Sequence, residues 1–458
     1  MEKADVIVIG GGNAGLCAAM KAAETVDKVI LIEKSPEIYR GGNSKYTRDI
    51  RCGREGTDPS NRYSEEEFLD DLMRVTNKNT NVELAKITIR ESFNIPDWMG
   101  EHGVKWQAAL KGTLHLGRTN RFFIGGGKAL INAYYDFAAK KKITVMYDST
   151  VTDLKFQDSE FQSLTVASKE AKKEFEAKSL VVASGGFEAN IPWLKEYWGE
   201  KASNFIIRGS KYNDGHILRI LLNHGAMAFG SPKDFHAVAV DARSPKFDGG
   251  IVTRIDSLPF GIVVNIHGER FYDEGEDLWP KRYAIWGKLI AEQPNQMAYS
   301  IVDSTVIGNF LPPMYGAFKS ESIEDLAKQI KVDADSLKNT VKKYNDNAAR
   351  GKKYDPSLLD ECSTSGITPP KTHWALPLES PPFYAYPLSP GITFTYLGVK
   401  VDQRARVLLT DGTPFRNVCA AGEIMAGNIL TRGYLAGFGL TIGTTFGRIA
   451  GEEAAKLV

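Results

Sequence analysis

The stretch DVIVIGGGNAG, residues 5–15, decides how the rest of the chain is read. An aliphatic run from Val6 to Ile9 is followed by glycine at Gly10, Gly12 and Gly15, then by AGLCAAMKAAE, whose small residues suit a helix laid on a sheet. KVILIEK, residues 28–34, supplies a second aliphatic run that ends on Glu33 and Lys34. Strand, glycine turn, helix and strand in this order make a dinucleotide grip. Gly10 permits the tight turn, Gly12 lets backbone approach a pyrophosphate, and Gly15 lets helix and strand pack closely. The helix start at Asn13 and Ala14 offers N–H groups and a positive dipole to the phosphates. Glu33, 18 residues beyond Gly15, is placed to accept from ribose hydroxyls.

Outward from this grip, residues 141–186 alternate apolar and polar side chains, which predicts an antiparallel strand group closing on the buried strand SLVVASGGF. Residues 322–351 carry apolar side chains at helical spacing, with DADS as a start signal. RVLLTDGTPFRNVCAAGEI, residues 406–424, predicts a hairpin and then a strand, and GLTIGTTFGRIAGEEAAKLV, residues 439–458, a closing helix. The expected class is α/β: a Rossmann-like domain of parallel sheet, helices and an antiparallel strand group, built from residues 1–233 and 373–458. An α+β capping domain, residues 234–372, interrupts it.

A length of 458 residues exceeds one ordinary core, in line with two domains. Hydrophobic residues at 43% and charged residues at 25% give a soluble globular balance. Lys+Arg of 57 against Asp+Glu of 56 disfavours nucleic acid or any partner found by bulk charge. No apolar run reaches membrane-spanning length, and a strand pattern starting at Asp5 leaves no room for a signal peptide, so a cytoplasmic location is expected. Cys17, Cys52, Cys362 and Cys419 are scattered without paired spacing, which predicts packing roles, no disulfide framework and no metal site.

GGNS (41–44), ASGGF (183–187), YNDGH (212–216) and AAGEI (420–424) follow the glycine grip in order. With them the chain resembles, over nearly its whole length, the flavoprotein subunits of the fumarate reductase and succinate dehydrogenase superfamily. The resemblance implies FAD, held non-covalently because GGNSKYT has no counterpart of the family's covalent histidine. It implies that Glu33 holds the adenosine ribose and that Gly42, Asn43 and Ser44 lie by the flavin ring. Ala183, Ser184 and Gly185 then line the cofactor, Asp214 and Gly215 close over it, and Gly422 and Glu423 reach the ribityl chain, with Gly439 and Leu440 beside them.

Three further patches match that family's active site. DFHAV (234–238) makes His236 a donor to a substrate carboxylate. IVVNIHGERFYDEGEDLWPKRYAIWG (262–287) points to Arg282 as the proton-transferring arginine, with Lys281 as competitor. GNILTRGYLAGFGLTIG (427–443) makes Arg432 a carboxylate-binding arginine. There are departures too. Phe394 stands where the family has a substrate-binding histidine, Arg254 where it has an acidic proton-relay residue, and Ser257 where it has a further arginine. One carboxylate lost and one guanidinium kept near the pocket favour a substrate with more negative charge, or a different outline, than succinate.

FIGGGKALINAYYDFAAK, HAVAVDARSPKFDGGIVTR, WPKRYAIWG and GNILTRGYLAGFGLTIG are similar to the tricarballylate dehydrogenase branch. That likeness implies oxidation of tricarballylate to cis-aconitate, by hydride transfer to flavin N5 and proton removal by a base. An arginine is ordinarily protonated, so the residues leave Arg282, Lys281 and a histidine open for the base. With no second glycine grip, the resemblance implies a separate membrane-bound iron–sulfur protein as electron acceptor, holding this chain at the inner face of the membrane. Three rivals remain: a 3-ketosteroid-type dehydrogenase exploiting the aromatic PGITFTYLG, an O₂-using monooxygenase related to the cobalamin pathway, and a non-catalytic electron carrier.

Overall fold

The computed structural model describes residues 2–58, 61–108, 116–169 and 171–458, and every count below is among these residues. Glu170, inside the predicted strand group, lies outside them.

The first strand, Glu2–Ile9, is the hub of an eight-stranded sheet. Val6, Ile7 and Val8 are fully buried, as a strand covered on both faces requires. It runs parallel to Val29–Ile32 on one side and to Lys172–Val182 on the other. Thr144–Met146 extends one flank and Pro414–Ala420 the other, again parallel. Arg406–Leu408 closes that second flank as the antiparallel arm of the predicted hairpin. The antiparallel group is present as Thr150–Gln157, Glu160–Ala167 and Lys172–Val182. The last of these strands joins both parts of the sheet, so the α/β expectation holds.

The closing helix, Phe438–Lys456, lies against the first helix, Asn13–Ala22. Asn13 Nδ2 donates to Leu440 O at 3.3 Å and to Thr444 Oγ1 at 3.0 Å. Segments distant in sequence are thereby joined where the glycine turn passes into the helix.

A second sheet, of six strands, is organised on Phe383–Thr395. That strand pairs in parallel with Ile206–Ile207, and antiparallel with Phe235–Asp241, Ala298–Val302 and Phe318–Ser320. Ile262–Asn265 adds beyond Ala298–Val302. The sheet therefore takes strands from either side of the 234–372 segment. The predicted helices, Ile323–Ile330 and Ala334–Asn347, share a core with it through Leu326, Leu337, Val341, Ile262, Val264 and Ile301. Asp333 caps the second by accepting from Ser336 N at 2.7 Å, the role DADS predicts. A bulge between His236 and Ala237 interrupts the register against Phe383–Thr395. Bulges of this kind turn a side chain away from the regular alternation, and this one falls at a cleft.

All four cysteines are free and buried. Among the described residues no helix is long and apolar enough to cross a membrane, and no His, Cys, Asp and Glu cluster suits a metal.

Candidate active site

The C-terminal ends of the parallel strands open into one cleft of about 1610 Å³, counted out to its mouth. Ligands of α/β sheets sit at this end. At Gly10, φ is +104°, and a Cβ there would stand 2.3 Å from Ala183 O. A Cβ on Gly15 would stand 1.8 Å from Gly10 O, so Gly15 packs helix against turn and does not line the cleft. Gly10, Gly12, Asn13 and Ala14 do line it. The helix begins at Gly12, which has no side chain to cap it, so beyond Asn13 N, held by Ser44 Oγ, the helix start is open to an anionic group.

Glu33 is buried and grips the turn: its Oε2 accepts from Gly11 N and its Oε1 from Ser35 N, both at 2.7 Å. Lys34 pairs with Asp214 across the mouth, tying a strand end to the 212–216 loop. Asn43 Nδ2 donates to Thr393 O at 2.6 Å and Glu188 Oε1 at 2.7 Å, while its Oδ1 accepts from Ser210 N at 2.8 Å. Ser44 Oγ accepts from Asn13 N at 3.1 Å. Gly42, Ala183, Ser184, Gly185 and Gly215 also line the cleft, as do Gly422, Glu423, Gly439 and Leu440. Small residues around an uncapped helix start, with an acid behind the turn, fit a dinucleotide. Glu33→Ala is expected to weaken dinucleotide binding by about 10- to 150-fold, the worth of one charge-assisted hydrogen bond, on titrating the apoprotein with cofactor.

The other end of the cleft is cationic and aromatic. Arg208 follows Ile206–Ile207, and its backbone N donates to Ile392 O at 2.8 Å. Its Nε donates to Thr393 Oγ1 at 2.8 Å, and its Nη1 is buried with no partner. Burial, then the nearby Arg254 charge, push this guanidinium down to about 10. Arg48, beside Asp49 at 3.3 Å, is also held below its usual value, by burial and then by Arg254. Burial opposes the charge of Arg254 itself, yet Asp256, 2.7 Å from Nε and 2.9 Å from Nη2, prevails and holds it above the ordinary value. The Nε contact is ionic and off the hydrogen-bond axis; the Nη2 contact is a hydrogen bond.

His236 is buried, and both its ring nitrogens lack a partner. Burial first, then Arg208 and Arg254, hold it well below its usual value, so the ring is neutral. It stacks on Tyr434 with ring centroids 3.9 Å apart and meets Tyr283 edge-on at 5.6 Å. Arg254 sits 4.7 Å from the Tyr283 ring centroid. Burial pushes the Tyr283 phenol up to about 12, while Arg254 and Arg208 pull it back. Unpartnered buried polar groups are costly, and an anion with acceptor atoms relieves Arg208 Nη1 and the one protonated ring nitrogen of His236.

Of the five candidate catalytic residues, the cleft brings together Arg254 and His236. Arg282, Lys281 and Arg432 lie elsewhere. Arg282 pairs with Glu276, which also accepts from Tyr272 OH at 2.6 Å. Lys281 pairs at 2.5 Å with the buried Asp71, itself bound to Arg51 at 2.8 Å and Tyr63 at 2.9 Å. Arg432 is exposed, ahead of the closing helix. Residues 281 and 282 sit on the short helix Trp279–Arg282, where each step turns about 100°, so it is the next residue, Tyr283, that faces the cleft. The cations that sequence reasoning missed are Arg48, just after GGNSKYT, and Arg208, just before YNDGH. Their only signal was position beside cofactor motifs.

A family model described as an FAD binding domain matches residues 5–440. The NADH:fumarate oxidoreductase of Klebsiella pneumoniae is 26% identical over 99% of this chain, which spans about half, 48%, of that protein's length. The fumarate reductase (cytochrome) of Shewanella frigidimarina is 27% identical over 99% of this chain and 77% of its own. Among solved structures, a 3-ketosteroid delta1-dehydrogenase from Sterolibacterium denitrificans has a TM-score of 0.78 at 18% identity, over 100% of both chains, a likeness of fold alone.

Proposed function

This chain belongs to the FAD binding domain family and its cofactor is FAD; on that premise we propose that it interconverts C–C and C=C bonds beside the carboxylates of a small polyanion, with tricarballylate and cis-aconitate as the pair. The observation that carries this reading is the unpartnered Arg208 Nη1 and the unpartnered neutral His236, on the cleft that also holds the cofactor cradle. Arg48 and Arg254 are each shared with an aspartate, whereas Arg208 is bound only to a threonine hydroxyl. Arg208 is therefore the guanidinium most free to take a carboxylate, through a planar fork suited to it. Carboxylates leaving water need such partners one for one.

Bound FAD supplies the hydride acceptor for oxidation, or the donor for reduction. Tyr283 holds the proton. With Arg282 and Lys281 engaged outside the cleft, Tyr283 is the hydroxyl placed among Arg48, Arg208 and Arg254. Its phenol is protonated at neutral pH, ready to deliver to carbon in the reducing direction. In the oxidising direction the Tyr283 oxygen would take the substrate's proton as the phenolate, the form that burial opposes and that Arg254 and Arg208 favour. We retain a separate iron–sulfur protein as the electron acceptor and residues 234–372 as a cap over the cleft.

Anaerobic mixing of the holoenzyme with tricarballylate, succinate and a 3-ketosteroid tests the reading. Tricarballylate is expected to bleach the oxidised flavin. A second reading, a flat neutral ring as substrate, is favoured by the aromatic wall of Phe394, Tyr283 and Tyr434. Bleaching by the steroid alone would establish that one instead. For an anionic substrate, kcat/KM is expected to fall as pH rises through about 10, because Arg208 is charged below that value and neutral above it. His236, already neutral, is expected to add no limb to the profile between about pH 6 and 8.

A further inference from the structure

Glu188, just after ASGGF, takes no part in the reading above, yet it is fully buried against a second carboxyl, Glu423. A Cβ built on Gly186 would stand 2.8 Å from Glu188 Oε2 and 2.3 Å from Glu423 Oε1, so the two acids converge on one point. Glu188 Oε1 is satisfied by the Nδ2 groups of Asn43 at 2.7 Å and Asn213 at 2.8 Å. Glu423 Oε1 accepts from Thr395 N at 2.9 Å. Glu188 Oε2 has no donor at all.

Ionised carboxylates only accept hydrogen bonds, so two of them meeting at a dry point leave an acceptor unmet and two like charges unscreened. A proton between them removes both faults. Among the described residues no cation pairs with either acid. On the 42–46 segment, Lys45 turns to Asp248. On the 212–216 loop, Asp214 is held by Lys34. Along Phe383–Thr395 and the residue after it, Arg208 is bound at Thr393, and Tyr396 is a phenol that burial keeps protonated. Burial raises both acids, Glu423 the further, with Glu188 as its next cause.

We propose that Glu188 and Glu423 hold one proton between them and take a second from solvent when the bound flavin is reduced, so that the pair couples the cofactor's charge to pH. Asn43 and Glu423 both line the cleft, and Asn43 hands the connection on to Glu188. Reduction adds negative charge to the cleft, and a neutralised acid pair offsets it. The inference rests on FAD in this cleft and not on which substrate is oxidised, so it stands or falls separately from the polycarboxylate reading.

The test uses holoenzyme. Infrared spectra at neutral pH are expected to contain a carboxylic-acid carbonyl band that disappears in both Glu188→Gln and Glu423→Gln. Dithionite titration against a reference dye is expected to give a flavin potential steeper in pH for the native protein than for Glu188→Gln. The difference is up to one proton per two electrons, a tenfold change in the equilibrium per pH unit, or about 30 mV. An acid band absent from the native protein overturns the shared proton, even if neither variant folds. A band that survives either substitution overturns it too, and equal pH slopes overturn the coupling to the flavin.

Discussion

Tyr283→Phe is expected to slow flavin reduction by substrate about 10²- to 10⁴-fold, the usual contribution of a positioned acid–base group. Phenylalanine keeps the ring that meets His236 edge-on and sits beside Arg254, so the cleft wall is retained and only the hydroxyl is lost. Binding of FAD, and the shift in the flavin spectrum on adding the polyanion, should be near native. The variant therefore separates proton transfer from binding, since the first is read by stopped-flow bleaching and the second by equilibrium titration. A rate within a few-fold of native would remove Tyr283 from the chemistry. Arg282→Ala is the companion: with its guanidinium held by Glu276 outside the cleft, it is expected to change the rate several-fold at most.

Arg208→Met is expected to lower kcat/KM for a carboxylate substrate by roughly 30- to 5000-fold, the 2–5 kcal/mol lost when one partner of a buried charge pair is removed. Most of the loss should fall on KM, because the interaction is made with bound substrate as well as with the transition state. The methionine side chain still fills space beside Thr393 in the cleft wall, and the backbone bond to Ile392 is untouched, so folding is not the expected failure. A neutral steroid in place of the polyanion should lose nothing. Arg432→Ala, at an exposed position, is expected to leave kcat/KM within a few-fold. If the two arginine variants behave alike, Arg208 is not the carboxylate anchor.

The parts of this molecule that were legible beforehand are those in which backbone geometry restricts residue type. A turn that brings Ala183 O within 2.3 Å of a would-be Cβ accepts glycine alone, and it writes Gly10 into the sequence wherever the chain is met. The alternation over 141–186 and the capping Asp333 are local in the same sense. The cationic end of the cleft is not. Arg48 and Arg208 reach it from segments 160 residues apart, and no local pattern distinguishes a buried arginine from a solvated one. Tyr283 was obscured by one step of helix: Lys281, Arg282 and Tyr283 are adjacent in sequence, but only the third points inward. A charge-based reading naturally settled on its two cationic neighbours.

The bond from Asn13 to Leu440 spans 427 positions. At ribosomal speeds of about 5–20 residues per second, roughly 20 to 90 s pass between emergence of the glycine turn and arrival of the segment that completes it. The nucleotide seat is thus completed only after that later segment has been made. Until then the early strands wait with their nucleotide seat half built.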